Sequence, residues 1–247
     1  MQFAANPMFK KILQLIPKRV QDPTRNPSCA VFEVDNWSIS DFIVKKLISK
    51  VGVHPFPLSE LSLMVSALAY FKPTHLFEWG TNIGKSARVF YEAAKHYRIV
   101  TQIHSIDLPD DIEHVEHPGG HRGKLVRGLQ GVTLHLGDGL QTSLTLLKEI
   151  NGVARPLFFL DGDHSYSSVK RELEAIIKQV PGAIILVHDT FYQSADAQYN
   201  IGPYRAIADT MDVYGKAYRQ IVLNTGLPGM TLIYPKSHMH DHGVDEL

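Results

Sequence analysis

The 247-residue chain has one cysteine, Cys29, only two tryptophans, and no surplus of charge of either sign. A single cysteine excludes a disulfide framework and any zinc site built from thiolates. Lys and Arg number 25, as do Asp and Glu, so the formal net charge is zero with histidine neutral. That balance argues against a nucleic-acid binder, which needs a cationic surplus to neutralise phosphates. Long apolar runs are lacking too. The longest near the N-terminus, 12–16, is followed by Pro17, Lys18 and Arg19, and is too short for a signal h-region or a membrane span. The expectation is a cytoplasmic protein with neither a nucleic-acid nor a membrane partner. The basic stretch 8–19 reads as an amphipathic helix folded onto its own domain rather than one lying on a membrane. What remains is ordinary globular material, 44% hydrophobic and 20% charged, with 13 histidines as the uncommitted charge. The length suits one domain with an appendage.

The first 57 residues read as a helical cap. They hold a short helix after Asn6-Pro7, a connector over 21–28 rich in Pro, Asn and Arg, and a helix opened by a capping box of Ser38 and Asp41 and closed at Gly52. A helix over 58–71 carries Leu61, Met64, Val65, Leu68 and Phe71 on one face, and Pro73 ends it. From Thr74 the rhythm changes to short apolar runs alternating with amphipathic helices. Strands are expected over 75–78, 101–107, 132–136, 157–161 and 183–188, and helices over 85–97, 140–150 and 165–179. Nearly continuous apolar strands between helices point to a parallel sheet covered on both faces. A helix over 203–214 then leads to strands 218–224 and 230–234, joined by Gly226-Leu227-Pro228-Gly229 as a hairpin. The predicted fold class is α/β: a doubly wound, seven-stranded, mostly parallel sheet with the last strand antiparallel, plus the N-terminal cap. The divisions are 1–57 for the cap, 58–235 for the main domain and 236–247 for a tail. The tail contains His238, His240 and His242, and reads as a chain end rather than a metal site. The 108–124 loop, with His117-Pro118-Gly119-Gly120-His121, is long enough to be a lid.

Chemistry-bearing residues fall one group per strand end. After the first strand come Glu78, Gly80, Thr81, Asn82, Gly84, Lys85 and Ser86. Glycines there admit close approach of a ligand, and the helix start favours an anionic group such as a carboxylate or phosphate. The spacing is neither the dinucleotide fingerprint nor a P-loop, and Glu78 would repel a triphosphate while suiting a ligand with a positive centre. Asp107 ends the second strand, where an acid accepts hydrogen bonds from ribose hydroxyls. Asp138, between Gly137 and Gly139, follows the third strand at the same edge, where an adenine could be held. Asp161, Asp163 and His164 follow the fourth strand, and His188, Asp189 and Thr190 end the fifth. Carboxylates from adjacent strand ends can form an oxygen-rich site for a divalent cation of the Mg²⁺ type. Equally, strand-end acids can merely cap the helices that follow.

In this order, and with the terminal hairpin, these motifs resemble the S-adenosylmethionine-dependent methyltransferases of the Rossmann-like class I, over roughly residues 58–235. The stretch Leu160-Asp161-Gly162-Asp163-His164-Ser165-Tyr166 is similar to the group of macrolide-sugar O-methyltransferases and cephalosporin-hydroxylase-like proteins, and more distantly to catechol O-methyltransferases. The resemblance implies S-adenosyl-L-methionine as cofactor. Glu78, Gly80, Thr81, Asn82, Gly84 and Ser86 would serve its amino acid end, Asp107 the ribose, Asp138 the adenine, and Asp161 would border the same site. It also implies a divalent cation, Mg²⁺ or another, held by Asp161, Asp189 and a third ligand, His188 or Thr190; an imidazole there leaves Mn²⁺ or Fe²⁺ open. His164 occupies the position of the general base, and Asp161 acts beside it. The implied activity is metal-assisted O-methylation of a hydroxylated small molecule, such as a sugar or natural product. Homo-oligomer formation is left open. Two alternatives stand beside it: a metal-dependent hydroxylase or oxidoreductase, and a non-catalytic nucleoside-binding protein.

Overall fold

The computed structural model describes residues 22–23, 32–112, 119–150, 154–194 and 197–236. The helix expected after Asn6-Pro7, nearly all of the connector, the middle of the loop expected as a lid and the His-rich tail lie outside them.

Helix α1 (Asn36–Phe42) runs through a π-helical turn, Ile43–Leu47, into α2 (Ile48–Val51). Its cap differs from the expected one. Asp35, not Ser38, is the N-cap, and its Oδ1 accepts from the amides of Trp37 and Ser38 at 3.0 and 3.2 Å. An Asp at this position satisfies orphan amides as well as a serine does, so the helix starts earlier. Gly52 ends the unit at a φ of +71°. Helix α3 (Leu58–Phe71) follows, and its buried residues include Leu61, Met64, Leu68 and Phe71.

The alternation after it is β1 (His75–Trp79), α4 (Lys85–Tyr97), β2 (Gln102–Asp107), β3 (Val132–Leu136), α5 (Gly139–Glu149), β4 (Pro156–Leu160), α6 (Tyr166–Gln179) and β5 (Ile184–His188). Helix α7 (Gly202–Tyr214) then leads to the hairpin of β6 (Tyr218–Leu223) and β7 (Met230–Pro235). Among the described residues the seven strands form one sheet in the order β3-β2-β1-β4-β5-β7-β6. Strands β1 to β5 pair in parallel, whereas β7 is inserted antiparallel between β5 and β6.

Central strands β4 and β5 are buried along their whole length, as strands covered on both faces must be. One face holds Leu76, Phe159, Leu186 and Leu232 against α1 to α4, and the other holds Phe77, Phe158, Ile185 and Ile233 against α5 to α7. The N-terminal helices therefore share a core with the sheet. The parallel register brings the ends of β1, β2, β3, β4 and β5 to a single edge.

Candidate active site

That edge lines a hollow of about 1250 Å³. It opens where the strand order reverses, with β1 lying between β2 and β4, the place where open α/β sheets bind ligands. Gly80 has a φ of +89°, and a Cβ there would stand 2.2 Å from the carbonyl oxygen of Asp161. Only glycine lets the turns after β1 and β4 lie so close.

Glu78 lies beneath the floor of the hollow, fully buried. Its Oε1 accepts from Ser105 Oγ at 2.5 Å, and Ser105 Oγ is in turn 2.7 Å from Thr81 Oγ1. Its Oε2 has no partner among the described residues. Burial pushes the carboxyl up to about 8, against the pull of the Ser105 and Ser86 hydroxyls and with help from Asp161 and Asp107. Thr81, Asn82 and Ser86 line the hollow above it. Gly84, at a φ of +84°, opens α4.

Asp107 ends β2, nearly buried, and lines the hollow. Its Oδ1 accepts from the Leu108 amide at 3.0 Å, and its Oδ2 meets Arg122 Nε at 3.1 Å. Arg122 also donates to Leu108 O at 2.8 Å and to Asp110, which ties the far end of the 108–124 loop to the strand. Asp138 behaves as a cap: it accepts from the Gln141 amide at 2.8 Å, while its Oδ2 lies 3.4 Å from Arg171. Asp163 lies two residues before Ser165, the N-cap of α6, and accepts from the Ser165 amide at 2.8 Å and from Ser168 Oγ at 2.5 Å.

Asp161, His164 and Asp189 come together on the other side. Each offers one ligand atom within 4.8 Å of the others, an arrangement that could hold a metal ion. His164 Nδ1 is 3.0 Å from Asp189 Oδ2, and its Nε2 is 3.5 Å from Asp161 Oδ1. Burial disfavours the charged imidazole, yet the two carboxylates outweigh it and push His164 up to about 10. Asp189 holds a left-handed φ of +56° for a residue with a side chain, a strained conformation of the kind that clusters at functional sites. Tyr199 donates to its Oδ1 at 3.1 Å.

Both residues named as third metal ligand already have side-chain partners. His188 is buried, with Nδ1 2.8 Å from Asp161 Oδ1 and Nε2 3.0 Å from Glu60 Oε2, so both ring nitrogens are taken. Despite burial, Asp161 and Glu60 push it up to about 10. Thr190 is buried and accepts from Thr231 Oγ1 at 3.0 Å. Among the described residues, His164 is the third member of the group that could hold a metal ion. As a general base it has the complementary difficulty that Asp161 and Asp189 favour its protonated form.

Four residues at the site escaped the sequence reading: Glu60, Arg122, Glu172 and Tyr199. Glu60 occupies the buried face of α3, four residues before Met64, and accepts the Gly229 amide at 2.8 Å. An acid on an apolar helix face was the available signal.

The fold is that of the Rossmann-like, class I methyltransferases. Residues 77–190 match the family described as "Methyltransferase domain". No curated protein matches the chain. Among solved structures, it is similar to the S-adenosylmethionine complex of the O-methyltransferase TomG from Streptomyces achromogenes, involved in tomaymycin synthesis. That pair is 14% identical, with a TM-score of 0.51 over 93% of this chain and 96% of the other. The S-adenosylhomocysteine-bound methyltransferase PaMTH1 from Podospora anserina is 14% identical, with a TM-score of 0.52 over 95% and 98%. An O-methyltransferase from Bacillus cereus in complex with S-adenosylhomocysteine is 13% identical, with a TM-score of 0.50 over 80% and 90%.

Proposed function

We propose that this protein is an S-adenosylmethionine-dependent O-methyltransferase that acts, with a divalent cation, on a hydroxyl of a small sugar or natural product. The observation that carries the reading is one hollow lined both by the Gly80–Ser86 turn and Asp107 and by the Asp161, His164 and Asp189 cluster. The buried, unpartnered Oε2 of Glu78 fits the neighbourhood of a cationic ammonium. Asp107, shared with Arg122, suits a ribose diol. When bound, the cofactor supplies an electrophilic methyl group and the cation supplies Lewis acidity that lowers the proton affinity of the acceptor hydroxyl.

This chain's own part is alignment and exclusion of water. Phe56, Pro57, Leu227 and Pro228 wall the hollow beside the cluster, and Phe56 packs edge-on against His188 at 4.9 Å. Those walls suit an acceptor with an apolar body that presents its hydroxyl to Asp161 and Asp189. Two carboxylates and an imidazole favour Mn²⁺, Fe²⁺ or Zn²⁺ over Mg²⁺. To act as a ligand, His164 must first release its proton. A cation-free reading has one observation in its favour, the position of His164 between Asp161 and Asp189: two carboxylates beside the ring favour a charged imidazolium, which would orient an acceptor hydroxyl without taking its proton.

Calorimetric titration with S-adenosylhomocysteine, repeated on Asp107→Ala, tests the cofactor; wild-type binding that the variant loses is expected, and a wild type that binds nothing overturns the proposal. Methyl transfer to a panel of hydroxylated compounds, followed by mass spectrometry before and after chelation, tests the rest. Loss of turnover on chelation is expected. Undiminished turnover favours the cation-free reading, and cofactor binding without transfer to any hydroxyl favours a nucleoside-binding protein.

A further inference from the structure

Both carboxylates of the cluster are gripped from outside it, and both grips lead back to one turn. The turn between β6 and β7 lies outside residues 77–190, the segment that matches the methyltransferase family, yet its Leu227 and Pro228 line the hollow. It lies flat on the chain that leaves β5. Gly229 O accepts from the Thr190 amide at 3.2 Å, and Pro228 O accepts from the Phe191 amide at 3.0 Å. A Cβ on Gly229 would stand 2.6 Å from the Phe191 nitrogen, so a larger residue would lift the turn away.

One line of contacts joins this turn to Asp189. At a φ of +56° its backbone keeps a conformation that persists only where the surroundings over-determine it, and the two amides that follow are the ones tied to the turn. The side chain is tied as well. Tyr199, on the loop before α7, lines the hollow with its hydroxyl 3.1 Å from Asp189 Oδ1 and 3.3 Å from Pro228 O. That hydroxyl has a single proton, and the nearer, charged oxygen takes it. With Oδ1 engaged, Oδ2 is left 3.0 Å from His164 Nδ1. A second line joins the turn to Asp161: Glu60 Oε1 accepts the Gly229 amide at 2.8 Å, its Oε2 is 3.0 Å from His188 Nε2, and His188 Nδ1 is 2.8 Å from Asp161 Oδ1. The hairpin needs neither line to stay in place, because β7 is already laddered to β5 and β6. We infer that Tyr199 and Glu60 are positioning residues, which orient Asp189 directly and Asp161 through His188 so that the cluster takes up a divalent cation. The inference rests on the proposed function. It puts determinants of cation affinity at residues 60, 199 and 228–229, beyond both ends of the matched family segment.

The test reads cation binding without turnover. Mn²⁺ is titrated into the full chain and the free ion is counted by electron paramagnetic resonance, for wild type, Asp189→Asn, Tyr199→Phe, Glu60→Gln and Glu60→Leu. Asp189→Asn is expected to abolish binding, which assigns the signal to the cluster. Tyr199→Phe keeps the ring and loses only the hydroxyl; it is expected to bind Mn²⁺ roughly 10–100-fold more weakly, the usual cost of losing a partner that orients a metal ligand, while binding S-adenosylhomocysteine as wild type does. Glu60→Gln keeps an oxygen for the Gly229 amide and offers an N–H to His188 Nε2, so it retains most of the affinity, whereas Glu60→Leu loses it. If Glu60→Leu does not fold, Tyr199→Phe and Glu60→Gln decide. Wild-type Mn²⁺ affinity in Tyr199→Phe overturns the inference and leaves the cation reading standing, and a Glu60→Gln that binds as weakly as Tyr199→Phe overturns the part given to Glu60. Failure of wild type to bind Mn²⁺, or undiminished binding by Asp189→Asn, overturns the cation reading and this inference with it.

Discussion

Glu78 shows how much a single buried acid can say about a missing counterpart. Its ordinary carboxyl titrates near 4.5, and in the fold it is pushed up to about 8 by burial. The folded state therefore takes up a proton that the unfolded state lacks between those values, and ligand-free stability falls as pH rises from about 4.5 to about 8, then levels. Glu78→Gln, which has no charge to bury, is expected to flatten that slope. Urea unfolding of both proteins from pH 5 to pH 9 reads it as a gap that widens toward alkaline pH by a few kcal/mol, on the order set by such shifts. Parallel curves would mean that Glu78 is ionised inside the fold. A cationic ligand group nearby would reverse the preference, so cofactor binding near neutral pH should release a proton from this carboxyl. Gly80 sets a stricter limit: with its Cβ position only 2.2 Å from the Asp161 carbonyl oxygen, no side chain fits.

At the level of helices and strands, a buried chain of contacts joins parts far apart in sequence. Glu60 on α3 accepts the Gly229 amide with one oxygen and meets His188 with the other, and His188 meets Asp161. Removing Glu60 leaves a buried imidazolium short of one carboxylate, a loss of about 3–5 kcal/mol for pairs of this kind. Glu60→Ala should therefore lower the denaturant midpoint strongly, whereas Glu60→Gln, which can still accept from Gly229, should lower it less. Equal midpoints for wild type and Glu60→Ala would remove the chain from the account of stability. Such couplings also mark the limit of sequence reading. The strands could be read closely because runs such as Leu157-Phe158-Phe159-Leu160 and Ile184-Ile185-Leu186-Val187 suit nothing but a doubly covered sheet. The acids at their ends could be read because the parallel order sends them to one edge. The Glu60–His188 contact spans 128 residues and leaves no local pattern, so the carboxylates on both sides of the His188 ring could not be read from the strand end alone. Ser38 and Asp41 made a plausible capping box, but Asp35 was three residues closer to the chain entry and captured the amides first.

For the molecule as a whole, ligand binding and folding should be linked. A ligand that binds only the folded chain adds about 2.7 kcal/mol at a hundredfold excess over its dissociation constant. For a chain of this length that corresponds to roughly 5–10 °C in the melting midpoint at about 2–4 °C per kcal/mol. Thermal scans with S-adenosylhomocysteine should show that rise in wild type and lose it in Asp107→Ala; an unmoved wild-type midpoint counts against cofactor binding. No helix among the described residues is long and apolar enough to cross a membrane. The insertion of β7 between β5 and β6 has a consequence for synthesis. While a ribosome is still making residues 218–235, β5 has an unpaired edge, Ile185 to His188, and Glu60 lacks the Gly229 amide. A nascent chain halted before that hairpin would hold all five strand-end acids and yet remain an unfinished, aggregation-prone sheet. Competence would arrive late and all at once, when the last strand slides in.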